Sequence, residues 1–399
     1  MANQDSESRS KYIELIKEKY GVDKVWSYSR VNSFDQDPYE WFLKYILELP
    51  SDKSTGNAYG IYGNMVHDIM EDYYNGKIKR EDCKKIFNEE WDRLSLLGLK
   101  FNNTDEESER KLKKKYKDDL DNFFDTFESF TGKCTCEMPV AVLLKNKKQK
   151  EAFFGYIDFL DQYTEDGRKK YHIIDYKTST MYKGKAIEDH ARQLLLYAIG
   201  LRQKTKCKYE DIDVGWNFLK YVTVIEEQKN GKTKERYIER YELVTKLETS
   251  IKKWLRELGF SEAVYEQCIA AGTLDPLPQE VNDKFIIKDC IIMVPFTKES
   301  AQKLQRDLCN KCKTLNELTN EYEETKNEEL FMWEPTQQDE FWLYNLCSYS
   351  SNLHKPFANY LHKKELMEQH RDDTSWLDDT VQTREEDLFG NFFNSIQTN

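Results

Sequence analysis

Between Gly155 and Tyr197 the chain reads GYIDFLDQYTEDGRKKYHIIDYKTSTMYKGKAIEDHARQLLLY, and this stretch limits the folds open to it. Phe153–Tyr163 and Tyr171–Tyr176 alternate β-branched or aromatic residues with polar ones, the pattern of half-buried strands. Thr164-Glu-Asp-Gly167 between them is a turn signal, and Asp189–Leu201 has the period of a helix. Acids sit inside the apolar runs: Asp158 in the first strand, and Asp175 in Asp175-Tyr-Lys177 at the end of the second. Residues two apart on a strand share a face, so Asp175 and Lys177 point the same way. A carboxylate among Ile157, Ile173 and Ile174 is costly to bury unless it is paired or holds a cation. Two such carboxylates on neighbouring strands make a hard-cation site, suited to Mg²⁺ or Mn²⁺ and not to Zn²⁺. A lysine beside them orients an attacking water or stabilises charge on a phosphate, as metal-assisted phosphodiester hydrolysis needs. Asp-x-Lys is a short pattern, and an ordinary strand ion pair remains the bland alternative.

The surrounding chain supplies layers for such strands. Helices are expected over Ser6–Tyr20, Tyr39–Leu47 (with Pro38 in its first turn), Gly60–Tyr74, Lys84–Leu97 and Glu106–Phe130. Cys136–Leu144 reads as a further strand, and Val214–Glu227 and Glu235–Leu243 as a hairpin across the Asn-Gly of KNGK. Thr245–Ala271 is expected as one long helix, with mainly helical structure on to about Lys364. The fold class is therefore α/β, a mixed sheet flanked by N- and C-terminal helical lobes. The expected divisions are residues 1–132 (helical), 133–245 (sheet core), 246–370 (helical) and 371–399 (an acidic tail). An aromatic content of 14% is too high for a disordered chain and can fill a sizeable core. No apolar run approaches the roughly 18 residues of a membrane span, and the first residues have no signal-peptide apolar region. The expected location is the cytoplasm, that of the host if the source is viral, with no membrane partner. The nine Cys residues are then expected as free thiols.

Two further features join the Asp-x-Lys strand. Gly63-Asn-Met-Val-His67 lies on a helix, with Glu71 on the same face at i+4. Gln193 and Tyr197 share a helix face directly after the strand. The ordered set Gly63/His67, Gly155/Asp158, Asp175-Tyr176-Lys177-Thr178 and Gln193-Leu194/Tyr197 resembles the RecB/AddB-type branch of the PD-(D/E)XK nucleases. SYSRVNSFDQDPYEWFLKYI resembles that family's N-terminal segment, and the likeness extends over about Trp26–Leu353. It implies a restriction-endonuclease-like core and a divalent-metal-dependent deoxyribonuclease, most simply an exonuclease of DNA recombination, repair or replication. His67, Asp158, Asp175 and the Tyr176 carbonyl would be metal ligands for Mg²⁺ or Mn²⁺. Lys177 would be the catalytic lysine, Gln193 and Tyr197 a supporting pair, and Glu137 an accessory acid or a solvent-facing strand residue. The alternative is a catalytically inactive nuclease fold kept as a DNA-binding scaffold, although His67, Asp158, Asp175 and Lys177 are all present. A CRISPR-adaptation-type nuclease is a third possibility. No G-x-x-x-x-G-K-[ST] occurs, so unwinding would come from a partner.

Many family members carry a four-Cys iron–sulfur cluster. Here Asp37, Tyr344 and Leu353 stand at three ligand positions and only Cys347 remains, so no cluster is expected. Cys309-x-x-Cys312 alone does not close a site. Stand-alone nucleases of this type without the cluster are similar to those of large bacteriophages. Packing must then hold the terminal segments, with Trp26, Trp41, Phe42, Trp333 and Trp342 available. The chain carries a net charge of −12, yet Arg110–Lys117 and Lys145–Lys150 are basic. Each is expected to touch DNA backbone or to be a solvated face, and the second is expected near the chemistry. Leu388, Phe389, Phe392 and Phe393 in the acidic tail, with Glu386 before them, resemble clamp-binding peptides. They suggest a sliding clamp or single-strand-binding protein as partner, against folding back on the chain's own helices.

Overall fold

The computed structural model describes residues 2–51, 58–101, 105–147, 149–339, 342–343, 347–349 and 355–369. Tyr344, Leu353 and the tail from residue 371, with its clamp-like Leu388–Phe393 segment, lie outside the described residues. In chain order the helices and strands are α1 (Ala2–Tyr20), β1 (Val25–Trp26), α2 (Tyr28–Gln36), α3 (Pro38–Tyr45), α4 (Ala58–Tyr74), α5 (Arg80–Ser95) and α6 (Glu106–Thr126). They continue as β2 (Lys133–Asn146), β3 (Gln149–Glu165), β4 (Arg168–Lys177), α7 (Lys185–Thr205), β5 (Ile212–Glu227) and β6 (Thr233–Glu239). The last are α8 (Leu243–Lys246), α9 (Glu248–Glu257), α10 (Ala263–Ala271), α11 (Gln279–Asn282), β7 (Phe285–Val294), α12 (Lys298–Thr325) and α13 (Lys355–Gln369). Two compact units result: residues 1–33 with 53–317, and residues 34–52 with 318–399. Residues 133–245 and 246–317 thus share one unit with 1–33 and 53–132, while 34–52 fall in the other.

The first unit is built on a seven-stranded mixed sheet. β3 runs antiparallel to both β2 and β4, and β1 joins β3 in parallel. β5 lies parallel to β4 and antiparallel to β6 and β7. One helical layer, α4–α6, buries Tyr62, Val66, Ile69, Phe87, Trp91 and Phe123 against Phe159, Ile174 and Tyr176 of the sheet. A second core lies where α9 and α10 place Ile251, Trp254, Leu255 and Tyr265 on Val222, Val224 and Phe285. The β5–β6 turn is the Asn-Gly hairpin, with Gly231 at φ +74 and Gln228 N donating to Lys232 O at 2.7 Å.

One sequence expectation is incomplete and one does not hold. Within the mainly helical residues 246–370, β7 completes the sheet by pairing along β5. Its Lys288 and Asp289 break the apolar run that marks a buried strand, and the charge of Asp289 is met by the distant Arg240, whose Nη2 donates to it at 2.5 Å. Thr245–Ala271 is not one helix: α9 stops at Glu257 and Gly259 takes φ +78, a left-handed conformation that glycine adopts at little cost.

The β2–β3 hairpin carries an irregularity that matters for the site. Cys134, Cys136 and Phe159 pack with the α4–α6 layer, whereas Val140, Val142 and Gly155 meet side chains or backbone of α7. Strict alternation would put residues 136, 140 and 142 on one face. The reversal falls at Glu137, which has φ +48, and the ladder skips the Glu137–Asp158 pair between Cys136↔Phe159 and Met138↔Ile157. Both strands thus turn over at the position that carries Asp158.

The second unit has an aromatic core. Phe42 stacks on Phe331 with ring centroids 4.5 Å apart, Tyr39 stacks on Phe357 at 5.0 Å, and Tyr322 meets Phe42 edge-on at 4.8 Å. Asp37 caps α3: its Oδ1 accepts from Tyr39 N at 3.0 Å, Glu40 N at 2.9 Å and Trp333 Nε1 at 2.9 Å. Ser348 N donates to Glu40 at 3.3 Å, and Cys347 is buried beside it.

Candidate active site

β4 ends in Asp175-Tyr176-Lys177, and alternation turns Tyr176 into the α4–α6 core while Asp175 and Lys177 face the opposite way. Register places Asp175 beside Trp216 and Lys177 beside Phe218 of β5. α4 approaches the end of this strand closely because Gly63 has no side chain. A Cβ there would lie 3.2 Å from Thr178 Oγ1. One turn on, His67 Nε2 donates to the Tyr176 carbonyl at 2.8 Å, which leaves Nδ1 facing Asp158 Oδ2 at 3.9 Å. Lys177 Nζ donates to Asp175 Oδ2 at 2.7 Å. Ligand atoms of His67, Asp158 and Asp175 all lie within 4.8 Å of one another.

The electrostatics of this group are unbalanced. Burial, then the neighbouring Asp175 carboxylate, pushes the Asp158 pKa up to about 8. Asp175 is 6% exposed, and its Oδ1 has no hydrogen-bond partner among the described residues. Burial lowers the His67 pKa and keeps the ring neutral, with a lone pair to offer. Burial alone would lower the Lys177 pKa too, but Asp175, Tyr182 and Asp158 outweigh it and the amine stays charged. Lys177 balances Asp175, Asp158 gains charge only when its proton is displaced, and the buried Asp175 Oδ1 stands with it beside a neutral imidazole. That donor set fits a hard divalent cation.

α7 supplies the other wall. Gln193 Nε2 donates to the Tyr197 hydroxyl at 3.1 Å. The Tyr197 ring lies on the bare backbone of Gly155, where a Cβ would come within 2.6 Å of its hydroxyl oxygen. Both α7 residues thereby face the hairpin that carries Asp158, and Asp158 and Asp175 raise the Tyr197 pKa behind the larger effect of burial. Glu137 is not part of the three-ligand group. It stands across the hairpin from Asp158 with its side chain exposed, and burial, then Glu71 and Asp68, raises its pKa.

Sequence reasoning passed over two rings beside the site. Tyr182 and His190 stack with centroids 3.9 Å apart and planes 11° from parallel. The signal was available: His190, Gln193 and Tyr197 have the i, i+3, i+7 spacing of one helix face.

Of the two basic segments, the second is placed differently from expectation. Lys145–Lys150 forms the tip of the β2–β3 hairpin, and Lys150 precedes Asp158 by eight residues on one strand. At strand rise that is on the order of 26 Å, so the segment is not near the chemistry. On α6, Lys111 pairs with Glu107, Lys114 with Asp118 and Lys115 with Glu239, while Lys117 donates to Asn88. All nine cysteines are free thiols. Among the described residues no helix is long and apolar enough to cross a membrane.

Comparison with known proteins agrees with this geometry. Residues 25–281 match the model of the PD-(D/E)XK nuclease superfamily. The chain is also similar to one of the subunits of the ATP-dependent helicase/deoxyribonuclease of Clostridium botulinum. Against the Loch Maree / Type A3 protein the identity is 26% over 200 residues, covering 44% of this chain and 17% of the relative. Against the Hall strain protein it is 26% over 224 residues, covering 48% of this chain and 19% of the relative. The match thus takes in under a fifth of those relatives' length.

Proposed function

This chain belongs to the PD-(D/E)XK nuclease superfamily, and from that premise we propose that it is a divalent-metal-dependent DNA nuclease, acting as an exonuclease in DNA recombination, repair or replication. The observation that carries the metal dependence is the unpartnered Oδ1 of Asp175, buried against an Asp158 whose pKa is raised to about 8. His67 Nδ1, Asp158, Asp175 and the second lone pair of the Tyr176 carbonyl would hold Mg²⁺ or Mn²⁺. When bound, the cation supplies Lewis-acid charge for the scissile phosphate.

The chain's own residues do the rest. Lys177 stays protonated and is held by Asp175, so it orients the attacking water and stabilises charge that develops on phosphate oxygens; it is no general base. His67 stays neutral, its tautomer set by the Tyr176 carbonyl. Gln193 and Tyr197 are positioning residues that fix α7 against the Asp158 hairpin. Glu137 is proposed as an accessory acid at the edge of the site. The proposed partners are DNA and, through Leu388–Phe393, a sliding clamp or single-strand-binding protein, with the cytoplasm as location.

The test is cleavage of end-labelled single- and double-stranded DNA with Mg²⁺ or Mn²⁺. Asp175→Ala should abolish cleavage, and Lys177→Ala should abolish it while Mn²⁺ binding, followed by calorimetry, is largely kept. Undiminished cleavage by Asp175→Ala would sink the assignment. DNA binding without cleavage by the wild type would favour the inactive scaffold.

A further inference from the structure

The loop after β4 folds back over the sheet. Tyr182 meets Trp216 and Phe218 edge-on, with centroids 5.3 and 5.2 Å away and planes at 84° in both contacts. Those two rings are the β5 register partners of Asp175 and Lys177. Tyr182 is therefore fixed, edge-on to a buried aromatic wall, immediately beside the candidate active site. His190 lies flat on it, 3.9 Å away and 11° from parallel. Tyr182 is half-buried and His190 exposed. Lys177 and Asp175 both act on the His190 ring, which places it within electrostatic reach of the site.

His190 also follows the site face of α7. It stands three residues before Gln193 and seven before Tyr197, so the three share a stripe. Along the helix axis His190 is about 4.5 Å from Gln193, less than the reach of one nucleotide. Lys183 and Lys185, both exposed, flank the stack on the same loop and first helical turn.

We infer that the Tyr182–His190 stack seats one unpaired nucleobase next to the phosphate to be cut, which makes the preferred substrate a single strand or a frayed end. This rests on the nuclease reading. The physical reason is that the outer imidazole face is a flat surface already aligned by the tyrosine beneath it, so little ordering remains for a base to stack on it. A base inside a duplex has both faces covered by its neighbours and cannot use the seat. Every base has a π-face, so the seat favours strandedness and not sequence. The two lysines add backbone charge contacts that weaken with salt.

The experiment uses the full chain and two readouts. In the first, single-stranded oligonucleotides with 2-aminopurine at successive positions are bound to the Lys177→Ala protein with Mg²⁺. One position should be quenched about twofold or more. Adding His190→Ala should remove that quenching, and adding His190→Phe should restore it. In the second, wild type and His190→Ala cut an intact strand and a strand abasic at that position. His190→Ala should lower kcat/KM on the intact strand by roughly tenfold, and the two proteins should cut the abasic strand alike. His190 is exposed, so its variants are expected to fold, and a thermal melt checks this. Equal cutting of intact and abasic strands by the wild type would overturn the seat while leaving the nuclease reading standing. Wild-type protein that cuts neither strand would overturn that reading, and the seat with it.

Discussion

His67, Asp158 and Asp175 in one compact unit, and Asp37, Glu40 and Cys347 in the other, each bring three potential ligand atoms within 4.8 Å of one another. Proximity alone makes them look equivalent, but their hydrogen bonds separate them. Asp37 Oδ1 collects three donors, two from the first turn of α3 and one from Trp333, and Glu40 accepts from Ser348 N. Asp175 Oδ1 collects none among the described residues, and Asp158 next to it holds its proton to about pH 8. The Asp37 cluster uses its polarity in folding. The His67 cluster retains unsatisfied polarity in a buried place, which a fold tolerates where a ligand compensates it. The contrast also shows what holds the second unit together around Asp37 and Cys347: a helix cap and the Phe42–Phe331 stack.

The largest expected effect separates the clusters by activity. Asp175→Ala or Lys177→Ala should lower cleavage by about 10³-fold or more, whereas Asp37→Ala should leave the specific activity of the folded protein unchanged; a nuclease assay on matched amounts of folded protein decides. Next comes metal. With chelator present, the Asp158 contribution to stability should fall as pH rises from about 4 to about 8. Over that window the unfolded carboxyl is ionised while the folded one keeps its proton. Melting curves of wild type and Asp158→Asn should therefore diverge at high pH, the variant being the more stable. Added Mn²⁺ should raise the wild-type midpoint more at pH 8 than at pH 6, because it replaces that proton. If Mn²⁺ stabilises Asp158→Asn equally, the ligand assignment is wrong.

A smaller effect belongs to the other cluster. Asp37→Ala should cost about 1–2 kcal/mol, the worth of an N-cap, measured by denaturant unfolding. The protein as purified should contain no stoichiometric iron by metal analysis; about four irons per chain would contradict the reading of Asp37 as a cap. Smallest of all, reversing the charges of Lys145, Lys147 and Lys150 should barely change the salt dependence of DNA binding, since the hairpin tip stands far along the strand from Asp158. A salt slope lower by one or more would show that DNA reaches the tip.

Period-two alternation was enough to put Asp175 and Lys177 on one face, and the i+4 spacing enough to pair Gln193 with Tyr197. The turn chemistry of KNGK was equally readable, since an Asn-Gly pair supplies the positive φ that a tight hairpin needs. What stayed hidden depends on partners distant in sequence. β7 was read into the mainly helical region, and the buried Asp289 in it finds its counter-ion 49 residues away in Arg240. The turnover at Glu137 leaves no trace in hydropathy, because glutamate is an unexpected residue at φ +48. Distance along the sequence also misplaced Lys145–Lys150, because a long hairpin carries its tip away from its base. The stack of Tyr182 on His190 joins a loop to a helix, and only the fold of that loop reveals it.

The bare backbone of Gly155 under the Tyr197 ring has a consequence for how this chain can evolve. Any side chain at 155 would need the space within 2.6–2.9 Å of Tyr197 atoms, so the two positions are not free to vary independently. A drift from Gly155 to Ala is closed while the tyrosine stands, and becomes open once residue 197 is small. The order of substitutions is therefore constrained: the helix must change first and the strand second. In a two-by-two set of Gly155→Ala and Tyr197→Ala variants the strand change should be harmful alone and nearly neutral in the altered helix, an epistasis of sign or magnitude set by one missing methyl group. Lineages that keep the tyrosine are thereby held to glycine, a dependence of history on a contact that no single-site scan would disclose.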